Sequence, residues 1–475
     1  MANSTAIFSV RVAESAAGGA DVNSSTFLPT PPVDNSASWI GMATTEASVD
    51  AMAGGEELFH EENHGRRSPG EDTLAAIGVK NVTGNPQFGA ASGEFMRVMY
   101  TDSISINHRF RTAGGGDPLN QGFGTILGSS MGLHSPTQNT VTTSANAVGA
   151  DGDTIVIATA DVGAVAVGAP IRIRPSGGQI DEYAVITNIS ADDAGNTTLT
   201  VHPRFSRQIM ANEAVQLCYA FFPIVGDNAS GIAKRDLFVQ FDMGGVSSDA
   251  SVRRVAALCR CSGFTLANDN NGVGLTMNLR PGAILQDDAN ASTSTTSEPP
   301  GDLLQHRYGA EVVLGGNHAG VSGAVSGTRT ALSNFDWNCE VTFDAAPASP
   351  DTRGILRMSS MDINNATASI SVTSEANETL QRMIARGERR TVILGMGPAG
   401  DGQGGAFILS NGGRADGAAN PSGGENNLIN QETALRAIAE SDICNLTTGN
   451  AGVALTAAEQ RLATAPFLLA LPRFE

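Results

Sequence analysis

Three stretches of the chain hold residues whose types and spacing could support catalysis. His60-Glu61-Glu62-Asn63-His64 sets two histidines four residues apart around a glutamate. On a helix that spacing puts both imidazoles on one face, where they can hold zinc while the carboxylate acts as base. Gly54-Gly55 precedes the stretch and Gly65-Arg66-Arg67-Ser68-Pro69-Gly70 follows it, so no helix there is long or apolar enough to bury a metal. We read it as a solvated acidic loop. Gly395-Met396-Gly397-Pro398-Ala399-Gly400 has the glycine spacing of a dinucleotide fingerprint and follows a strand-like run. The fingerprint needs a helix to begin inside it, because the helix N-terminus receives the pyrophosphate. Here Asp401-Gly402-Gln403-Gly404-Gly405 leads into another apolar run, 406–409, which predicts a glycine-rich hairpin loop. Gly128-Ser129-Ser130-Met131-Gly132 matches a nucleophile elbow, which requires strand, sharp turn and then helix. This one ends a predicted helix, so its glycines read as helix termination.

The carboxylates offer no better constellation. Asp236, Asp242, Asp249, Glu340, Asp344 and Asp362 lie on or beside predicted strands, and nothing in their spacing selects a catalytic pair. Alternating polar positions on half-exposed sheets account for them. The expectation is therefore a non-enzyme with no catalytic, cofactor-binding or metal-binding residues. The five cysteines, Cys218, Cys259, Cys261, Cys339 and Cys444, are odd in number and sit mostly in apolar runs. They read as reduced, core-filling thiols.

Stepping out from these residues, the 475-residue chain carries 48 acidic and 29 basic side chains, a formal net charge of −19. Only Lys80 and Lys234 are lysines; the other cations are arginine. Length suggests about two to four domains, with enough apolar content for true cores. A nucleic-acid grip needs a basic stripe that displaces counterions, and none is present. No apolar run is long enough to span a bilayer. The first residues lack a basic end and an apolar stretch, so no secretory signal is expected.

The elements that must position everything else are strands. Residues 1–90 are rich in Gly, Ser, Pro, Asn and Asp and read as an extended arm with a few short strands, one that could wrap a neighbour. In 103–111, Ile104, Ile106, His108 and Phe110 alternate with Ser105, Asn107 and Arg109, the period of a half-buried strand. Asp117-Pro118 predicts the start of a helix with Leu119, Phe123, Ile126 and Leu127 on one face. Residues 140–206 look inserted: short β runs at 154–158, 170–174, 182–189 and 197–202 suggest a small barrel or sandwich. Strands at 236–241 and 252–266 follow, then an Asp269-Asn270-Asn271-Gly272 turn and a returning strand through Leu279. The Ser/Thr/Pro/Asp stretch 286–302 reads as a linker. Phe335, Trp337, Cys339, Val341 and Phe343 then alternate with Asp336, Asn338, Glu340, Thr342 and Asp344, the clearest strand signal in the chain. Two strand-like runs in 354–372 precede a helix with a Ser374 cap, a Leu380, Met383, Ile384 face and a Gly387 stop, and 391–396 returns as a strand. A helix at 431–442, a capping box at Thr456-Ala-Ala-Glu459 and a terminal strand at 466–474 complete the reading.

Strands followed by a short amphipathic helix thus occur at 93–133 and again at 355–387, a pattern of internal duplication. At these paired segments the chain resembles the major tail tube proteins of long-tailed, siphovirus-type bacteriophages, in their double-module form. The likeness rests on the strand, loop and helix of 102–133, ending in Leu127-Gly-Ser-Ser-Met-Gly-Leu133, and on the 255–279 hairpin, Cys261-Ser-Gly-Phe-Thr-Leu then Gly-Val-Gly-Leu-Thr-Met. It rests also on 357–396, with Ser359-Ser-Met-Asp-Ile-Asn-Asn365 and Arg386-Gly-Glu-Arg-Arg-Thr-Val392. With the 140–206 insertion, which also looks like the small β modules that such proteins display outside the tube, these cover about a third of the chain.

The resemblance implies a mainly β fold: two tandem β-sandwich or barrel modules, each with a flanking α-helix, plus an inserted small β domain displayed outside the tube. The expected layout is an N-terminal arm (1–90), a first module (91–139 and 207–285), the insertion (140–206), a linker (286–330), a second module (331–420) and C-terminal helices with a closing strand (421–475). It implies a structural subunit without cofactors whose rings, trimers with pseudo-sixfold symmetry, stack into a hollow virion tail tube assembled in the host cytoplasm. The implied partners are sister chains, a tape-measure protein and tail-end proteins; no membrane is involved. Double-stranded DNA would pass without specific binding, and an acidic wall denies phosphates the cation contacts that would retain them. Asp236, Asp242, Glu340, Asp344 and Asp362 are the acidic residues expected to face the lumen. The rival readings are a capsid, decoration or adhesin protein of a virion, and an enzyme built on the zinc-like or nucleotide-like stretch.

Overall fold

A computed structural model describes residues 7–15, 31–32, 36–42, 46–49, 104–110, 118, 121–144, 152–173, 182–191, 195–225, 236–244, 252–269, 272–280, 283–288, 312–319, 324–326, 329–346, 362–397, 404–415, 421–423, 429–437, 443–446 and 454–473. The fold is mainly β, with curled antiparallel sheets. The stretch His60–His64 lies outside these residues.

Period-2 burial sets the first strands. β1 (Ile7–Glu14) pairs with β2 (Ile40–Met42); β3 (Glu46–Val49) pairs with β4 (Ile104–Arg109). On β4, Ile104, Ile106 and His108 are buried and their neighbours half-exposed, as the alternation predicts. Helix α1 (Gly122–Gly128) begins at Gly122 rather than at the expected Pro118, whose carbonyl instead accepts the Gln121 N–H. Every α1 residue is buried, which is what an uncharged Gly-Phe-Gly-Thr-Ile-Leu-Gly helix requires. Phe123 lies 6.0 Å from the His108 ring and 5.4 Å from Phe110, edge-on to the latter.

After β5 (Met131–His134), residues 140–202 contain the expected short strands: β6 (Thr140–Thr142), β7 (Thr154–Ala158), β8 (Pro170–Ile173), β9 (Glu182–Ala191) and β10 (Asn196–His202). The ring closes only with the first part of β11 (Ala214–Pro223), which pairs with β6 on one side and β8 on the other. The remaining neighbours run β8–β9–β10–β7, and a Thr143–Ile157 bridge joins β7 to β6. This six-stranded barrel encloses Ile157, Val167, Ile171, Ile186, Leu199 and Val215. Closure removes its edges. Beyond Leu217, β11 leaves the barrel and pairs with β5 instead.

β12 (Leu237–Gly244), β13 (Val252–Asp269), β14 (Gly272–Arg280) and β15 (Ala283–Asp288) follow. The first part of the expected 286–302 linker is therefore strand, hydrogen-bonded to β13. β13 serves two sheets. Its N-terminal part lies between β12 and β15 in the order β2–β1–β12–β13–β15. Past a bulge between Cys261 and Gly263 it lies between β14 and β19 (Asn334–Ala346).

Before β19 come β16 (Val312–Ala319), β17 (Ala324–Ser326) and β18 (Thr330–Leu332); after it come β20 (Asp362–Glu375), helix α2 (Glu378–Arg386), β21 (Arg390–Met396) and β22 (Gly405–Ala415). α2 is capped by the Asn377 side chain, not Ser374, because β20 runs on to Glu375 and carries Ser374 into the sheet. Gly387 ends the helix in the left-handed region, as expected. β23 (Pro421–Gly423) and β24 (Ile429–Ala437) complete this sheet. The helix expected at 431–442 is contradicted: β24 is a strand, paired with β20, β22 and β23. Its buried positions include Gln431 and Thr433, which hydrogen-bond each other, and Gln431 also accepts from Gln381. The period of two was therefore written in polar residues.

Helix α3 (Ala457–Thr464) has the predicted capping box between Thr456 and Glu459, and β25 (Leu468–Pro472) inserts between β11 and β22. One large core runs through both halves of the chain, from Val10 to Leu471.

His134, at the end of β5, is held neutral: loss of hydration pulls its pKa down to about 4, against an opposing pull from Glu459. Its folded pKa lies below the unfolded value of 6.5, so the unfolded chain binds the extra proton between these pH values. Stability should fall as pH drops from about 6.5 toward 4, by about 2 kcal/mol after allowance for residual exposure. Urea midpoints at pH 7 and pH 4.5 should converge in His134→Asn relative to the parent. An unchanged difference would contradict the assignment.

Candidate functional site

The feature with functional character is a face rather than a pocket. Five strands, β4, β14, β13, β19 and β20, lie side by side, with β24 beyond. Along β19, Trp337, Cys339, Val341 and Phe343 are buried, whereas Asp336, Asn338, Glu340, Thr342 and Asp344 are exposed. The same alternation runs across the neighbours. The register sets Asn107, Thr276, Thr265, Glu340, Ser369 and Arg436 in one row across six strands. Hydroxyl and amide groups dominate this face, and several are linked: Thr276 Oγ1 donates to Asn107 Oδ1 at 2.8 Å, Ser371 Oγ to Glu432 Oε1 at 3.2 Å, and Asn365 Nδ2 to Asp344 Oδ2 at 3.3 Å.

Within this face the two halves of the chain meet in a seam at the β13–β19 pairing. It brings the backbones unusually close: a Cβ added at Gly263 would lie 2.5 Å from the Val341 carbonyl oxygen. Only the absence of a side chain permits that approach.

The five expected lumen carboxylates separate. Glu340 and Asp344 stand exposed on this face. Asp236 does not belong to it: its carboxylate accepts from Arg260 Nε at 2.7 Å, and both side chains are largely covered, at 14% and 4% exposure. A guanidinium so enclosed requires a counter-charge, and Asp236 supplies it. Asp242 is on β12, opposite Ser9 and Arg253 in the other sheet, and Asp362 is at the start of β20 opposite Ala346; their side chains lie outside the described set. Among the described residues, three acidic residues of the face were not among the five: Asp336, Glu375 and Glu432. Asp336 was already visible as a polar position of the β19 alternation, whereas Glu432 was hidden by the mistaken helix.

The catalysis-like stretches have structural employment where described. Ser129 Oγ donates to the Ile126 carbonyl at 2.7 Å and accepts the Cys261 N–H at 2.9 Å, and Ser130 Oγ donates to the Cys261 carbonyl. Both serines are buried and tie the end of α1 to β13. Of the glycine-rich stretch at 395–400, Gly395 and Met396 belong to β21, paired with Ala406 and Gly405 of β22, and 398–400 lie outside the described residues. None of the five cysteines is in a disulfide; burial pushes the Cys261 and Cys444 thiols up to about 12. Cys259 and Cys339 move in the same direction, also through burial. Among the described residues no cluster of His, Cys, Asp and Glu could hold a metal ion, and no helix is long and apolar enough to cross a membrane.

No family model and no curated protein matches the chain. The functional reading therefore rests on the face and on the sequence resemblance.

Proposed function

We propose that the chain is a structural subunit of a phage tail tube, with two tandem β modules fused in one polypeptide. Three copies form a pseudo-sixfold ring, and rings stack into a hollow tube that conducts genomic DNA. The observation that carries this reading is the broad polar face shared by both halves of the chain. Long strands contributed before and after residue 300 are joined edge to edge at β13–β19, with one side packed on the core and the other offering hydroxyls, amides and carboxylates. Such a face suits passage of a polyanion: it hydrates the phosphates, and Arg109, Arg280 and Arg436 are outnumbered on it by the carboxylates of Asp336, Glu340, Asp344, Glu375 and Glu432.

Among the described residues, β2, β3 and β15 each have one strand neighbour, which supports completion of the sheets by sister chains. Head-to-tail contact between rings is heterologous and propagates as an open filament. Tape-measure and tail-end proteins would cap such a filament within the virion. Native mass spectrometry of the isolated ring should return three chains; six would mean that one module had been counted twice. A stable monomer at every concentration would overturn the proposal.

A further inference from the structure

The barrel carries an unusual apolar side chain. Met210, between β10 and β11, is 62% exposed and one of two large hydrophobic residues at the surface among those described, the other being Leu446 at 42%. An isolated exposed methionine is ordinary on a mobile loop, but this one is braced from all sides. Its N–H donates to Glu213 Oε2 at 3.0 Å, and its carbonyl accepts from Thr143 Oγ1 at 2.7 Å. The same Thr143 hydroxyl accepts the Glu213 N–H at 2.7 Å, and the Thr143 carbonyl accepts the Asn212 N–H at 3.1 Å. Glu213 is in turn gripped by both terminal nitrogens of Arg207. Buried Phe205 and Ile209 anchor the loop to the barrel core.

We infer that Met210 is a contact knob by which the inserted barrel seats on a second copy of this chain. The inference rests on the self-assembling reading above and goes beyond it by naming a surface outside the polar face. Charge selects the partner. On a chain of net charge −19, the most exposed residues of this loop, Ser206, Gln208, Met210, Ala211, Asn212 and Ala214, are uncharged, and half-exposed Arg204 adds a cation. The nearby Arg207–Glu213 pair cancels internally. Two strongly acidic bodies meet with least repulsion at a patch that carries no surplus of carboxylates, whereas a cationic partner would be drawn to the carboxylates elsewhere. The fixed backbone means that little loop entropy is lost on contact, and a thioether adapts its shape to a pocket.

Hydrogen peroxide footprinting read by mass spectrometry tests this on the full chain. Met210 should oxidise readily in the dispersed protein and about tenfold more slowly once the protein assembles. Met210→Glu should raise the concentration needed for assembly about tenfold while leaving the melting temperature unchanged. Assembly with Met210 oxidised at the dispersed rate, and with Met210→Glu assembling normally, would overturn this inference alone. A chain that never self-associates would overturn the reading beneath it as well.

Discussion

Replacing Trp337 with alanine is expected to cost about 3–5 kcal/mol of folding stability, the largest single effect anticipated in the molecule. Trp337 is 1% exposed, belongs to the core shared by both halves, and its backbone N–H is held by Asn268 Oδ1 at 2.8 Å. Alanine would remove the ring and leave a cavity bounded by several strands, which cannot collapse without disturbing the sheet register. The indole N–H is buried without a hydrogen-bond partner, so Trp337→Phe loses volume but also an unsatisfied donor. That variant should cost well under half as much. Three residues along the same strand, Glu340 points to the other side, and Glu340→Ala should stay within about 0.5 kcal/mol. Urea denaturation of the three variants measures the ranking. If Glu340→Ala proved as costly as Trp337→Ala, the division of β19 into a core side and an open side would be wrong.

The second large effect is at the seam. Gly263→Ala places a methyl group 2.5 Å from the Val341 carbonyl, a backbone atom with no rotamer by which to yield. Relief requires β13 and β19 to move apart where the bulge already uncouples β13 from β14. A loss of about 2–3 kcal/mol is expected from this overpacking. Because the seam makes one polar face out of two, the variant should also assemble less readily than its stability alone would dictate. A melting temperature matching the parent would show that the close approach carries no weight.

Legibility in the sequence followed the physics of burial. β4 and β19 were readable because every second side chain is apolar and buried, and the hairpin joining β13 and β14 because a turn separates two alternating runs. β24 was misread for the opposite reason. Its inward side begins with Gln431 and Thr433, satisfied by Gln381 and by each other, and only Leu435 among its described buried residues is apolar, so its alternation held little contrast between apolar and polar. The helix starts slipped where local signals competed with tertiary ones: Ser374 can cap a helix, but β24 claims it for the sheet.

Pairings between distant segments left no local trace. Closure of the small barrel by β11 and the joining of β13 to β19 depend on strands that meet only after the chain has folded. The same holds for Asp236, whose acidity suggested an open position until Arg260 stood beside it. Glu340 and Asp344 were legible as members of an open face because they share the parity of β19, and parity survives folding.

Cryo-electron microscopy of the purified full-length chain under assembling conditions is the most direct test of the central claim. The account predicts rings in which sister chains supply the missing neighbours of β2, β3 and β15, with Glu340 and Asp344 turned toward a continuous central channel. Particles of a lone chain whose sheet edges are satisfied internally, and whose polar face looks onto bulk solvent, would contradict it.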